Sequence, residues 1–171
     1  MIDGSPPDLF LRPADPADVP FMMKLERESP AAAHWTRQGY ESIFARIGDQ
    51  PQARRFAWVV ERFATPERIS VEASQQIVGF LVAHQVHPEW ELENIMVDPS
   101  AQRRGIGTLL MSEFIARARA EGGANIFLEV RESNKNARGL YSQLGFYESG
   151  VRYNYYSSPT ENAIIYRLEL P

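Results

Sequence analysis

Apolar residues recur along the chain in two rhythms, one with the 3.6-residue period of a helix and one with the two-residue period of a strand. Leu9 to Arg12 reads as a short first strand, closed by Pro13. Asp15 and Pro16 form an N-cap and a first-turn proline, which predicts a helix through about Glu28 with Val19, Met22, Met23 and Leu25 as its apolar stripe. Thr36 caps a second predicted helix, in which Tyr40, Ile43, Phe44 and Ile47 keep helical spacing as far as Gly48. Three strand candidates follow: Phe56 to Glu61, the alternating Ile69 to Ala73, and Ile77 to His84, with Ser74 to Gln76 as a turn before the last. Trp90 to Val97 is a further strand, stopped by Asp98-Pro99. A long helix is predicted from Gly105 to Glu121, with Leu109, Leu110, Phe114, Ile115 and Ala118 on its apolar face and Gly122-Gly123 at its end. A buried strand, Asn125 to Val130, precedes a short helix from Asn134 to Leu144 and two closing strands, Phe146 to Tyr155 and Ala163 to Leu170.

This pattern predicts one mixed α/β domain over residues 9–171, with a largely antiparallel sheet and one parallel step around the long helix. Residues 1–8 lack the basic and apolar regions of a signal peptide and read as a polar tail. With 171 residues the chain can bury a proper core, and 44 % apolar with 23 % charged residues marks it as globular rather than disordered. No apolar run approaches the roughly 18 residues of a membrane span, so no membrane partner is expected. The absence of cysteine removes disulfides, thiolate metal sites and a cysteine nucleophile together, and makes a cytoplasmic location the default. A net charge of −4 argues against nucleic acid as a partner.

The candidate chemistry begins at Ala101-Gln-Arg-Arg-Gly-Ile-Gly-Thr-Leu-Leu110, where two arginines and two glycines open the long helix. A helix start offers unpaired N–H groups and a partial positive charge, Gly105 and Gly107 keep side chains out of the way, and Arg103 and Arg104 add donors for phosphate oxygens. A diphosphate suits such a place. A Walker motif is excluded because no Lys-Ser or Lys-Thr follows the glycines, and a Rossmann fingerprint would need a glycine where Leu110 stands. The competing structural explanation is glycines used for packing beside solvated arginines. A second constellation, Asn134 and Tyr141, places an amide and a phenol two turns apart on one helix face. Its structural alternative is an asparagine cap and a half-buried tyrosine.

Gln102-Arg-Arg-Gly-Ile-Gly107 resembles the Q/R-x-x-G-x-G/A signature of the GNAT acetyltransferase superfamily, and Asn134-x-x-Ala-x-x-Leu-Tyr141-x-x-x-Gly-Phe146 resembles its second motif. With the preceding strand "ENIMVDP", the likeness spans about residues 91 to 147 in order and spacing. The resemblance implies the GNAT fold, a twisted, mostly antiparallel sheet of six to seven strands flanked by about four helices. It also implies acetyl-CoA as cosubstrate. The diphosphate would meet the N–H groups of Arg103, Arg104, Gly105, Ile106, Gly107 and Thr108, and the pantetheine arm would follow Ile95, Met96 and Val97. Asn134 would hold the arm and Tyr141 would lie near the thioester sulfur. The closing "RYNYYSSPTENAIIYRLEL" and the early "ERESPAAAHWTRQGY" are similar to segments of the ribosomal-protein-alanine N-acetyltransferase family, which acetylates protein N-termini. Gly139, where that family usually has a larger helix former, is a departure that costs ~1 kcal/mol of helix stability and leaves room beside Tyr141.

An attacking amine must be neutral, so the site needs a proton acceptor, and the departing thiolate needs a donor. Tyr141 is the candidate acid. Glu129 matches the base position of the N-terminal family, and Glu91 that of histone-type relatives, with Glu93 on the same strand face as Glu91 unless a bulge intervenes. Leu-Glu-Val is common across the superfamily, so Glu129 also has a structural explanation. His84 and His87 lack a third ligand at metal spacing and read as strand-end residues; no metal is expected. Direct transfer to a protein N-terminal α-amine is the leading expectation. The alternatives are a small amine (polyamine, amino acid or antibiotic) and an acyl-CoA-binding module without turnover. Monomer and homodimer are both compatible with the sequence.

Overall fold

A computed structural model of the protein describes residues 9–29, 35–45, 53–63 and 76–171. The polar segment 1–8, the strand expected at Ile69 to Ala73 and the end expected for the second helix near Gly48 lie outside the described residues. The strands are β1 Leu9–Pro13, β2 Ala53–Arg62, β3 Gln76–Val86, β4 Glu89–Val97, β5 Asn125–Arg131, β6 Tyr147–Ser157 and β7 Thr160–Glu169. The helices are α1 Val19–Arg27, α2 Arg37–Glu41, α3 Ile106–Ala120 and α4 Lys135–Gln143. All seven strands join one sheet in the order β1-β2-β3-β4-β5-β7-β6. Every neighbouring pair is antiparallel except β4–β5, which α3 connects as a crossover.

The sheet is covered on both faces, which explains the continuous apolar run of β3. Val78, Leu81 and Ala83 point to the core shared with α3, whereas Ile77, Phe80 and Val82 point to α1 and α2. Asp15 starts the first helical segment with a capping box: its carboxylate accepts from Ala17 N at 2.7 Å, and its own N–H donates to Asp18 Oδ2 at 2.8 Å. One 3₁₀ turn, Pro16–Asp18, precedes α1. α2 stops earlier than its spacing predicts, after Glu41. Ser42 donates its hydroxyl to the carbonyl of Gly39 at 2.7 Å, a side-chain bond that competes with the helical ladder. Ile43 nevertheless stays buried beside Tyr40.

Two irregularities in β4 position the site. Val82 pairs with Asn94 and Ala83 with Leu92, so Glu93 is the extra residue of a β-bulge. The β4–β5 ladder runs only from Glu89 to Leu92, opposite Asn125 to Leu128, and the strands part beyond it. The bulge is anchored from below by Asn94, whose Nδ2 donates to Glu26 Oε1 at 3.0 Å and to the Tyr40 hydroxyl at 3.3 Å. Glu26, only 2 % exposed, also accepts from Trp35 N at 2.9 Å, which ties α1, α2 and β4 through one carboxylate. Burial, followed by the charge of Glu26, pushes the Tyr40 phenol well above its ordinary pKa.

Candidate active site

One groove, of about 560 Å³, opens where β4 and β5 part, between the start of α3 and the length of α4. Ile95 and Val97 of β4 form its floor. Gln102, Arg103 and Gly105 to Thr108 form one wall, and Asn134, Ala137, Gly139, Leu140 and Tyr141 are on the other. The chain enters α3 through two left-handed residues, Arg103 at φ 64° and Gly105 at φ 81°, and no side chain caps the helix start. The other helical starts differ: Asp15 caps the turn that runs into α1, Thr36 caps α2 and Asn134 caps α4. The uncapped start of α3 lines the groove, so its first N–H groups face the space where an anion would sit. Gly107 serves a different end, since a Cβ there would sit 3.1 Å from Leu140 Cδ2. Its lack of a side chain brings α4 against α3.

Asn134 uses its Oδ1 to cap Ala137 N at 3.1 Å while lining the groove. Tyr141 lies on the same wall, 3 % exposed, with its ring packed against Phe146 and Tyr166. Burial, then the neighbouring Tyr156, raises the Tyr141 phenol pKa, so it stays protonated. Two of the residues expected here from sequence are placed elsewhere. Met96 packs toward the α1–α2 core, and Arg104 is exposed without lining the groove.

A second cavity, of about 330 Å³, is lined by His84 of β3, Glu89 and Glu91 of β4, Phe127 and Glu129 of β5 and Ile165 of β7. Both glutamates expected from sequence therefore meet in one space. Glu91 still lies within the β4–β5 ladder, opposite Phe127, whereas Glu129 is the first β5 residue past its last pair. Glu91 has its carboxyl pKa raised by lost hydration first and then by Glu93 and Glu129, with His84 and Arg55 opposing. The bulge carries Glu93 to a two-point ion pair with Arg55, at 2.8 and 2.9 Å. Glu129 Oε1 accepts from Arg152 Nη1 at 2.8 Å, and that guanidinium lies 4.1 Å over the ring of Tyr155. The Tyr156 phenol pKa is raised by burial and then by Glu129, and Tyr156 in turn acts on the Tyr141 phenol.

Sequence reading missed two of these groups. His84, which reads in the sequence as a strand-end residue, lines the carboxylate cavity opposite Glu91. Arg152 is the other, and its signal in the sequence is a basic residue at the head of the tyrosine-rich "RYNYY". Among the described residues, no three His, Asp or Glu side chains converge as a metal site.

A family model described as acetyltransferase (GNAT) family matches residues 23–146. The chain is 34 % identical over 128 residues to the ribosomal protein bS18-alanine N-acetyltransferases of Salmonella typhimurium and Escherichia coli, a match spanning 71 % of this chain and 86 % of each relative. The crystal structure of the Escherichia coli ribosomal-protein-S18-alanine N-acetyltransferase aligns with a TM-score of 0.76 at 28 % identity, covering 94 % of this chain and 93 % of that one. Arabidopsis thaliana NAA60, solved in complex with acetyl-CoA, shares the fold with a TM-score of 0.77 at 14 % identity, covering 95 % and 98 % of the two chains.

Proposed function

The chain belongs to the GNAT acetyltransferase family, and from that premise we propose that it moves the acetyl group of acetyl-CoA directly to a protein N-terminal α-amine. The observation that carries this reading is the parting of β4 and β5, which leaves an anion-ready groove on one side and a carboxylate-lined cavity on the other. The relatives at 34 % identity, named for a ribosomal-protein alanine, support the N-terminal acceptor. Acetyl-CoA supplies the activated thioester. The uncapped start of α3 from Arg103 to Thr108 fits its diphosphate, and Ile95, Val97 and Asn134 fit its arm. Beyond Leu92 the edge of β4 toward β5 has no ladder partner, so its N–H groups near Val97 can face the charge that develops on the carbonyl oxygen.

Glu129 is the base in this reading. It stands at the opening between the strands, and its carboxylate accepts the proton of the incoming ammonium directly or through water. An α-ammonium titrates at about 7.7–8.0 and a lysine at about 10.4, so at pH 7 deprotonating an N-terminus costs roughly 3 kcal/mol less. A carboxylate suffices for that task. Tyr141, kept neutral by burial, donates to the departing sulfur from the groove side. With no cysteine to carry an acyl group, the amine attacks the thioester itself, with both substrates bound at once.

Thiol release from acetyl-CoA, followed with a panel of N-terminal peptides and a panel of polyamines, tests the reading. Turnover is expected with peptides. Release with polyamines alone would contradict the acceptor assignment, and tight CoA binding without turnover would mark a binding module.

A further inference from the structure

We propose that Asn162 is a positioning residue for acceptor recognition, holding the tyrosine-bearing bulge of β6 against the turn that launches α4. This rests on the reading above, in which the acceptor amine enters beside Glu129 and the β6–β7 hairpin. The β6–β7 ladder pairs Arg152 with Ala163 and next pairs Tyr156 with Glu161, so Tyr153, Asn154 and Tyr155 stand opposite Asn162 alone. That mismatch bends β6 outward and leaves Tyr153 79 % and Tyr155 46 % exposed. At its centre Asn154 adopts a left-handed conformation, φ 52°. Asparagine is one of the few non-glycine residues that adopt this conformation readily, and here its N–H is also held from the neighbouring strand.

Asn162 provides the fixing with both ends of its amide. Its Oδ1 accepts from Asn154 N at 3.0 Å, and its Nδ2 donates to Glu132 Oε2 at 3.0 Å. The Asn162 carbonyl accepts from Glu132 N at 3.1 Å. Glu132 belongs to the turn between β5 and α4, and the adjoining Glu161 grips the same turn through Ser133 N and Arg131. Arg131 in turn lies 4.0 Å over Tyr156. One side chain thus joins the hairpin that carries Arg152 and Tyr155, beside the base, to the turn that carries Asn134 into the cofactor groove. Exposed tyrosines on a left-handed bulge do little for the core; they present contacts to a guest. Loss of the amide should free the bulge while the groove keeps its own supports in α3 and α4.

The test is steady-state kinetics on an N-terminal peptide substrate, with KM measured separately for peptide and acetyl-CoA. Asn162→Ala should raise peptide KM about tenfold, with kcat and acetyl-CoA KM within about twofold of the parent. In the double variant N162D/E132Q the carboxylate still accepts from Asn154 N, and the new amide at 132 donates to it, so peptide KM should return to within about threefold. An equal rise in both KM values, a fall in kcat at constant peptide KM, or no recovery in the double variant overturns the proposal. If the parent enzyme acetylates no peptide, the N-terminal reading fails and this one with it. An active parent with an unaltered Asn162→Ala overturns this one alone.

Discussion

The two spaces on either side of the β4–β5 opening are built in opposite ways. The cofactor groove is made largely of backbone: a strand edge without a partner, a helix start without a cap and a glycine held at φ 81°. The acceptor cavity is made of side chains brought from β3, β4, β5 and β7, with Arg152 reaching in from β6. In the proposed reading the backbone cradle takes the cosubstrate's diphosphate, a task that asks little of residue identity beyond glycine. A cavity of carboxylates and aromatics can change its guest by single substitutions.

That contrast can be broken from either side. The largest effect is expected at the base: Glu129→Gln should lower kcat by ~10²–10³-fold, whereas Glu91→Gln should cost only a few fold, both read by thiol release. The reverse ranking would move the base into the ladder. Tyr141→Phe should slow kcat by ~10–100-fold with CoA affinity unchanged by titration calorimetry, since the ring keeps its packing against Phe146 and Tyr166. On the backbone side, Gly105→Ala forces a side chain into a left-handed position at a cost of ~1–2 kcal/mol, which should weaken acetyl-CoA binding by about tenfold and leave peptide KM unchanged.

The smallest effect concerns stability. In the folded protein the Glu91 carboxyl pKa lies above its ordinary 4.5, so the unfolded chain gives up that proton at lower pH. Stability is therefore lost as pH rises from the ordinary value through the raised one. Glu91→Gln removes the cost of a buried charge and then the repulsion from Glu93 and Glu129, and should raise Tm at pH 7 by no more than about 2 °C. The gain should vanish at about pH 4 and below, where the carboxyl is protonated in both states.

Most of the sheet and much of the groove's lining were legible because their signals are local, although Met96 and Arg104 fall outside that lining. The left-handed entry to α3 shows as Gly105, the close approach of α4 as Gly107, and the end of β4 as Asp98-Pro99. The register of the sheet was not legible in this way. Nothing in "ELENIMV" announces that Glu93 is the bulged residue, because the bulge is set by Asn94 reaching Glu26, 68 positions away. The same holds for His84 and Arg152, whose roles depend on strands that meet only in three dimensions. α2 ends early for a reason visible in the sequence, Ser42 three residues after Gly39, which the helical spacing of Ile43, Phe44 and Ile47 masks.

The most direct test offers the enzyme one peptide that carries both a free N-terminal alanine and an internal lysine, with acetyl-CoA, and locates the acetyl group by fragment mass spectrometry. The account predicts acetylation of the α-amine, with the lysine left free. Acetyl on the lysine, or an unmodified peptide from an enzyme that still releases thiol with polyamines, would contradict it.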